Sequence, residues 1–261
     1  MELWLLNHFS TTELTFLVVG GFVVLAVACS LLTTRRFPAL TGGENNDMVG
    51  VVLGMFGAIY GIILAFVIVN LWTELQDTQK VVSTEATSIS QIARDAKAFP
   101  PDVQTAVNAA IHDYVHAVVE QQWPLMRAGR GDFTVTATKV DRMYQVLREY
   151  EPQSQSEQAF YTEALGSLND TVGQRRDRIN ESRNELPVLL QVLIVGGALV
   201  ILALTLLYGL RSPKVRLLFV GSVAALIGFS LLLVLVLDRP FAGDLSVSPT
   251  PFKESALAQF W

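Results

Sequence analysis

Four stretches of this chain carry no charge and are long enough for a helix to cross a bilayer: Thr15–Leu32, Met48–Trp72, Pro187–Leu210 and Leu217–Leu237. Between the second and third lies a polar insert, Thr73–Leu186, whose apolar positions recur at helical spacing. Leu75, Val82, Ala86, Ile89, Ala93 and Ala96 form one stripe, running straight on from the second span. Phe99-Pro100-Pro101 ends it, because proline removes a backbone donor and disfavours helix at the residue before it. A second stripe is Val103, Val107, Ile111, Tyr114, Val118 and Leu125; a third is Phe133, Ala137, Val140, Tyr144 and Leu147; a fourth is Tyr161, Leu165, Leu168, Val172 and Ile179. No stretch alternates convincingly with period two. The pattern therefore predicts an all-α membrane protein, with four transmembrane helices and a helical extramembrane insert between the second and third. The expected divisions are 1–72, a first transmembrane hairpin; 73–186, the helical domain; 187–237, a second hairpin; and 238–261, a C-terminal turn with a short amphipathic helix. The outer helices of the insert either continue spans two and three or break from them, and Pro187 marks a kink or the start of the third span. In the tail, Thr250 is expected to cap a helix with Pro251 in its first turn and Phe252, Ala256 and Phe260 on one face, lying on the bilayer or packed on the insert.

The second span carries Gly50, Gly54, Gly57 and Gly61. At about 100° per residue these four fall within roughly 60° of arc. Glycine inside a helix costs about 1 kcal/mol against alanine. A stripe of four implies use of the missing side chains, for close helix approach or for the thin wall of a pore. Phe56, Ile63 and Asn70 are seven apart and share a different face. Together with Phe66 they are the candidate constrictions of a pore, with the glycines turned toward neighbouring helices.

Hydrophobic residues make up 51% of the chain and mean hydropathy is +0.41, above ordinary soluble values. The first span reads as a retained helix, since no Lys or Arg precedes it and no small-x-small cleavage site follows. The single cysteine, Cys29, excludes an intramolecular disulfide. The insert holds 17 acidic and 12 basic residues, so the chain has no basic region suited to nucleic acid. Arg35, Arg36, Arg211, Lys214 and Arg216 lie in the two short loops, which the positive-inside rule places in the cytoplasm. The insert is then expected outside, with the chain in a bacterial inner membrane. Arg175, Arg176, Arg178 and Arg183, just before the third span, are the counter-evidence.

No ionisable residue falls within the four spans, which argues against a proton-driven pump. Arg175, Arg176, Arg178 and Arg183 are candidates for binding lipid headgroups or for concentrating anions in a vestibule. His112, His116 and Glu120, four apart on one helix face, are a candidate divalent-metal set; a packed or solvated face is the alternative. No nucleophile–base pairing, phosphate loop or cysteine metal motif is present, so no enzyme and no cofactor is expected.

Three stretches together resemble a bestrophin-like family of bacterial membrane proteins. The first is Tyr60-Gly61-Ile62-Ile63-Leu64-Ala65-Phe66-Val67-Ile68-Val69-Asn70-Leu71-Trp72, followed by Asp77 and Glu85-Ala86. The second is Gln121-Gln122-Trp123-Pro124-Leu125-Met126. The third is Leu237-Asp238-Arg239-Pro240-Phe241-Ala242-Gly243-Asp244-Leu245-Ser246-Val247-Ser248-Pro249. More remotely, the chain is similar to true bestrophins, which are pentameric ion channels whose second membrane helix lines the pore. The pattern departs from theirs where Phe66 precedes Val67 instead of arginine, and where Ala242 is inserted before Gly243 in the C-terminal turn. The resemblance implies self-association into a ring within the lipid bilayer and conduction of ions. A non-conducting envelope scaffold or sensor, whose insert binds a partner, is the competing expectation.

Overall fold

The computed structural model describes residues 2–39 and 41–261. Nine α-helices are joined by short turns among them: α1 (Glu2–His8), α2 (Thr11–Arg36), α3 (Asn46–Asp95), α4 (Pro101–His116), α5 (Trp123–Arg127), α6 (Thr134–Glu149), α7 (Gln155–Glu181), α8 (Val188–Leu207) and α9 (Pro213–Leu237). No strand occurs among the described residues. Four of these helices, α2, α3, α8 and α9, are long and apolar enough to cross a membrane. The chain divides into two compact units. One comprises Met1–Thr73, Glu185–Asp238 and Gly243–Leu245; the other comprises Glu74–Asn184, Arg239–Ala242 and Ser246–Trp261.

In the first unit α2 packs along α9, with α8 beside them. Ala26, Leu202, Val220 and Ala224 form a buried cluster at that seam. Gly228 brings the backbones close: a Cβ there would lie 3.2 Å from the Cα of Val19 and 3.2 Å from the Cβ of Phe22. Small residues thus serve helix packing in this unit, as expected where lipid removes the hydrophobic drive between helices, but at positions other than the glycine stripe of α3. α2 starts in a capping box, Ser10 Oγ accepting from the Glu13 amide and Glu13 Oε2 accepting from the Ser10 amide.

α3 is one unbroken helix of 50 residues, so the second span does continue into the insert. It tightens to a 3₁₀ turn at Ala96–Ala98 and stops at Phe99, and Pro101 opens α4, as proline at a first helical turn should. The third span behaves otherwise. α7 ends at Glu181, and Pro187 stands at the N-cap of α8, so these two helices are separate. The Leu186 amide, just outside that helix, donates to Asp238 Oδ1 at 2.8 Å.

In the second unit, Val82, Ile89 and Ile92 of α3 join Val107, Ile111 and Val115 of α4, Met143 and Leu147 of α6 and Leu168 of α7 in the core. Between α4 and α5 the helix widens into a π-turn, Ala117–Gln122, where the Trp123 amide reaches back to the Val118 carbonyl. Pro124 accounts for the widening: it has no N–H to give the carbonyl four residues back, and its ring crowds that turn. The tail departs from expectation. Two 3₁₀ turns, Thr250–Lys253 and Ser255–Phe260, replace a single α-helix, broken at Glu254. Ser248 Oγ, not Thr250, accepts the first amide, and Phe252 and Leu257 are the buried pair instead of Phe252, Ala256 and Phe260.

Candidate functional site

On the membrane part of α3 the buried positions are Tyr60, Leu64, Val67 and Leu71. Their face is anchored by Tyr60, whose hydroxyl donates to the Ile194 carbonyl at 2.9 Å. One edge of the ring packs against Gly197, where a Cβ would fall 2.5 Å from two of its carbons. The glycine stripe flanks this face on one side, and Phe56, Ile63 and Asn70 flank it on the other. Gly54, Gly57 and Gly61 are uncovered: apart from their own turns of α3, no described atom lies within 4 Å of a Cβ built on any of them, and Gly50 meets only the Tyr208 ring. Gly57 and Gly61 instead floor an apolar groove of about 490 Å³ whose opposite wall is Phe219, Val223 and Leu226 of α9. Phe56 is 50% exposed and Phe66 74%, with Asn70 exposed too.

The arginine set does not act as a group. Arg178 has no solvent exposure and is paired with Glu85, equally buried, through Nε to Oε2 at 2.6 Å and Nη2 to Oε1 at 3.0 Å. Around the pair the polar atoms are satisfied in turn. The Tyr114 hydroxyl donates to Glu85 Oε1, Arg178 also donates to Gln122 Oε1, and Gln122 Nε2 donates to the Asp132 carbonyl. Trp123 and Phe252 stand over the guanidinium at 5.9 and 5.7 Å. Burial opposes the charge on Arg178, yet the Glu85 carboxylate holds its pKa above the ordinary arginine value; burial, with Glu85 beside it, drives the Tyr114 phenol far up. Arg175 is also buried, its Nε on Thr136 Oγ1 at 2.6 Å and its Nη2 on the Phe133 carbonyl. Headgroup or anion binding is therefore corrected for Arg175 and Arg178, whose side chains are buried and hydrogen-bonded inside the helical unit. Arg176 is exposed, and Arg183, also exposed, binds the Gly131 carbonyl.

Glu85 is the residue that sequence reasoning left without a role. The signal was present in part: Glu85 sits on the face of Val82, Ile89 and Ile92, and Arg178 sits beside Ile179 on a buried face that Thr171 and Arg175 share. A carboxylate on the buried face of α3 and two arginines, Arg175 and Arg178, on the buried face of α7 offer an ion pair, and the sequence alone does not say which arginine takes it. The π-turn explains how Gln122 and Trp123 both reach it.

The histidines do not form a metal set. No group of three or more metal-ligating side chains occurs among the described residues. His116 is engaged at both ring nitrogens, Nδ1 with Glu120 Oε1 and Nε2 with the Phe260 carbonyl, each at 2.9 Å, while its ring stacks on Trp261 at 4.0 Å. His112 faces Asp113 through Nδ1 at 3.3 Å. The expectation of metal at His112, His116 and Glu120 is corrected to a docking site for the tail.

The C-terminal turn supplies caps. Asp244 Oδ2 accepts from the Thr11 amide at 2.7 Å, serving the first turn of α2, and Asp238 Oδ1 takes the Leu186 amide. Gly243 has φ +81°, a left-handed conformation that suits glycine, which lets the chain reverse between these aspartates. In the helical unit the Val247 amide donates to the Pro240 carbonyl, and Phe241 meets Trp123 edge-on at 5.4 Å. Arg239 is buried.

Gln122-Trp123-Pro124 and the Asp238–Asp244 turn, read first as sequence signatures, thus each carry a defined structural task. No curated protein and no solved structure matches the chain. A family model described as the Bestrophin-like domain matches residues 20–252, from α2 to the tail, and the chain belongs to this Bestrophin-like family.

Proposed function

We propose that this protein is a homo-oligomeric, ion-conducting membrane protein that associates through the second span. The observation that carries the reading is the unoccupied glycine face of α3. A helix keeps four costly glycines on one stripe, and among the described residues three of them are covered by no atom from beyond their own turns of α3. The groove over Gly57 and Gly61 is apolar and wide enough to accept the ridge of a neighbouring helix. With the glycines at that contact, Phe56, Ile63 and Asn70 turn toward the axis of the ring, where a hydrophobic constriction gates by dewetting. Membership of the Bestrophin-like family supports conduction by kinship of name alone. The basic short loops support a cytoplasmic position for them, with the helical unit outside a bacterial inner membrane.

The test joins two measurements on full-length protein: native mass spectrometry for copy number, and ion flux from liposomes loaded with a chloride- or potassium-sensitive dye. A ring of four or more copies with flux supports the reading. A well-assembled protein that passes no ion leaves the competing one, a non-conducting envelope scaffold or sensor. In that second reading the helical unit, with Glu85 and Arg178 paired inside it, is the part that holds a partner.

A further inference from the structure

The short-loop ends of α2 and α9 enclose a pocket of about 320 Å³ lined by Leu31, Thr34, Arg35, Leu210, Arg211, Pro213, Arg216 and Leu217. Three arginines from two helix ends and a turn face one small space. Among the described residues no carboxylate forms a salt bridge with any of them. Arg216 is steadied by long contacts to Ser30, Nε to Oγ at 3.3 Å and Nη2 to the carbonyl at 3.4 Å. Arg35 and Arg211 are exposed. The pocket also meets the start of α9, a 25-residue helix whose N-cap, Ser212, makes no side-chain bond to the first-turn amides. Guanidinium groups and free amides at a helix N-terminus recognise the same ligand chemistry, a phosphate oxygen. The remaining wall is Leu31, Leu210, Pro213 and Leu217, with Thr34, whose hydroxyl donates to the Ser30 carbonyl at 2.7 Å.

We infer that this pocket binds the headgroup of an anionic phospholipid, the phosphodiester held by Arg35, Arg211 and Arg216 and the first methylenes of its chains lying on Leu31, Leu210 and Leu217. The apolar wall and the site's place at the ends of two membrane-length helices select lipid over a free phosphate, which has no use for the leucines. The inference is independent of whether the protein conducts. It moves lipid recognition from Arg175 and Arg178, which are buried, to arginines whose sequence neighbours are membrane spans.

Full-length protein in phosphatidylcholine nanodiscs, titrated with phosphatidylglycerol and read by native mass spectrometry, tests it. The wild type is expected to retain phosphatidylglycerol in preference to phosphatidylcholine. The R35Q/R211Q variant, which leaves the Arg216–Ser30 contact in place, is expected to lose about tenfold or more in that affinity. R176Q, an exposed arginine of α7, is expected to match the wild type. Equal retention in R35Q/R211Q with helix content unchanged by circular dichroism overturns the inference. So does equal binding of phosphatidylcholine, or full competition by millimolar inorganic phosphate, which would assign the pocket to a free anion.

Discussion

Glu85 and Arg178, 93 residues apart, form a two-bond ion pair with neither side chain open to water. Taking two charges out of water is costly, and removing one partner strands the other. Glu85→Leu should therefore destabilise the helical unit by roughly 3–5 kcal/mol, as should Arg178→Met. The double variant E85L/R178M should recover much of that loss, since it leaves no stranded charge, although Tyr114 and Gln122 each lose a partner. Thermal unfolding of the full chain in detergent checks the order. If the double variant is as unstable as the sum of the singles, the loss comes from disrupted packing and not from a stranded charge.

Gly197 and Tyr60 make a second exacting contact. An alanine at 197 places its Cβ 2.5 Å from the ring, so the ring must leave and its bond to the Ile194 carbonyl breaks. Tyr60→Phe keeps the packing and removes only that bond, worth about 1 kcal/mol. Gly197→Ala should lower the unfolding temperature more than Tyr60→Phe does. Equal effects would mean that the ring has room to shift.

Gly57→Ala and Gly61→Ala set the opposite expectation. No described atom stands in the way of either methyl group, so the protomer should fold and melt as the wild type does. If the stripe receives a neighbouring copy, the double variant G57A/G61A should weaken self-association by tenfold or more, because each methyl pushes the helices apart. Crosslinking or native mass spectrometry at several protein concentrations reads this directly. An unchanged copy number places the contact elsewhere.

These three cases differ in how far the amino-acid pattern disclosed them. The four apolar spans and the helical insert were legible, because hydrophobic runs and 3.6-residue stripes report burial directly. The continuity of span two into the insert was legible only as one of two outcomes: the apolar stripe runs straight on and no proline interrupts residues 46 to 95, yet a break at the junction fits the same stripe. The break before Pro187 was not, because a proline near a helix start reads alike as a kink and as a cap. Composition hid the fate of the arginines: near a span a basic run reads as headgroup-facing, and only the Glu85 face across the bundle shows where Arg178 goes. The tail misled by its spacing. Phe252, Ala256 and Phe260 suit an α-helix, but Glu254 breaks the turn, and burial goes to Phe252 and Leu257. The glycine stripe was visible at once, yet which glycines pack within a protomer was not. Gly197 and Gly228 do, whereas Gly54, Gly57 and Gly61 of the stripe do not.

His116 gives the tail a pH dependence. Its two ring nitrogens face acceptors that have no proton to give, the Phe260 carbonyl and the Glu120 carboxylate, so only the imidazolium satisfies both. Its pKa is accordingly raised from 6.5, first by the bond to the Phe260 carbonyl and then by Glu120, with Asp113 adding to it. The other charged and titratable groups at the site are His112, whose ring lies 4.4 Å away, and Lys253, 4.7 Å above the Trp261 ring. A raised folded-state pKa stabilises docking fully below 6.5 and loses that contribution as pH rises through the folded value. Hydrogen exchange of residues 252–261, corrected for intrinsic rates, should therefore show protection at about pH 5.5 that declines by about pH 8.5. In His116→Gln, which retains a donor but does not titrate, the protection should stay flat across the same range. An equal decline in both proteins would assign the titration to another group.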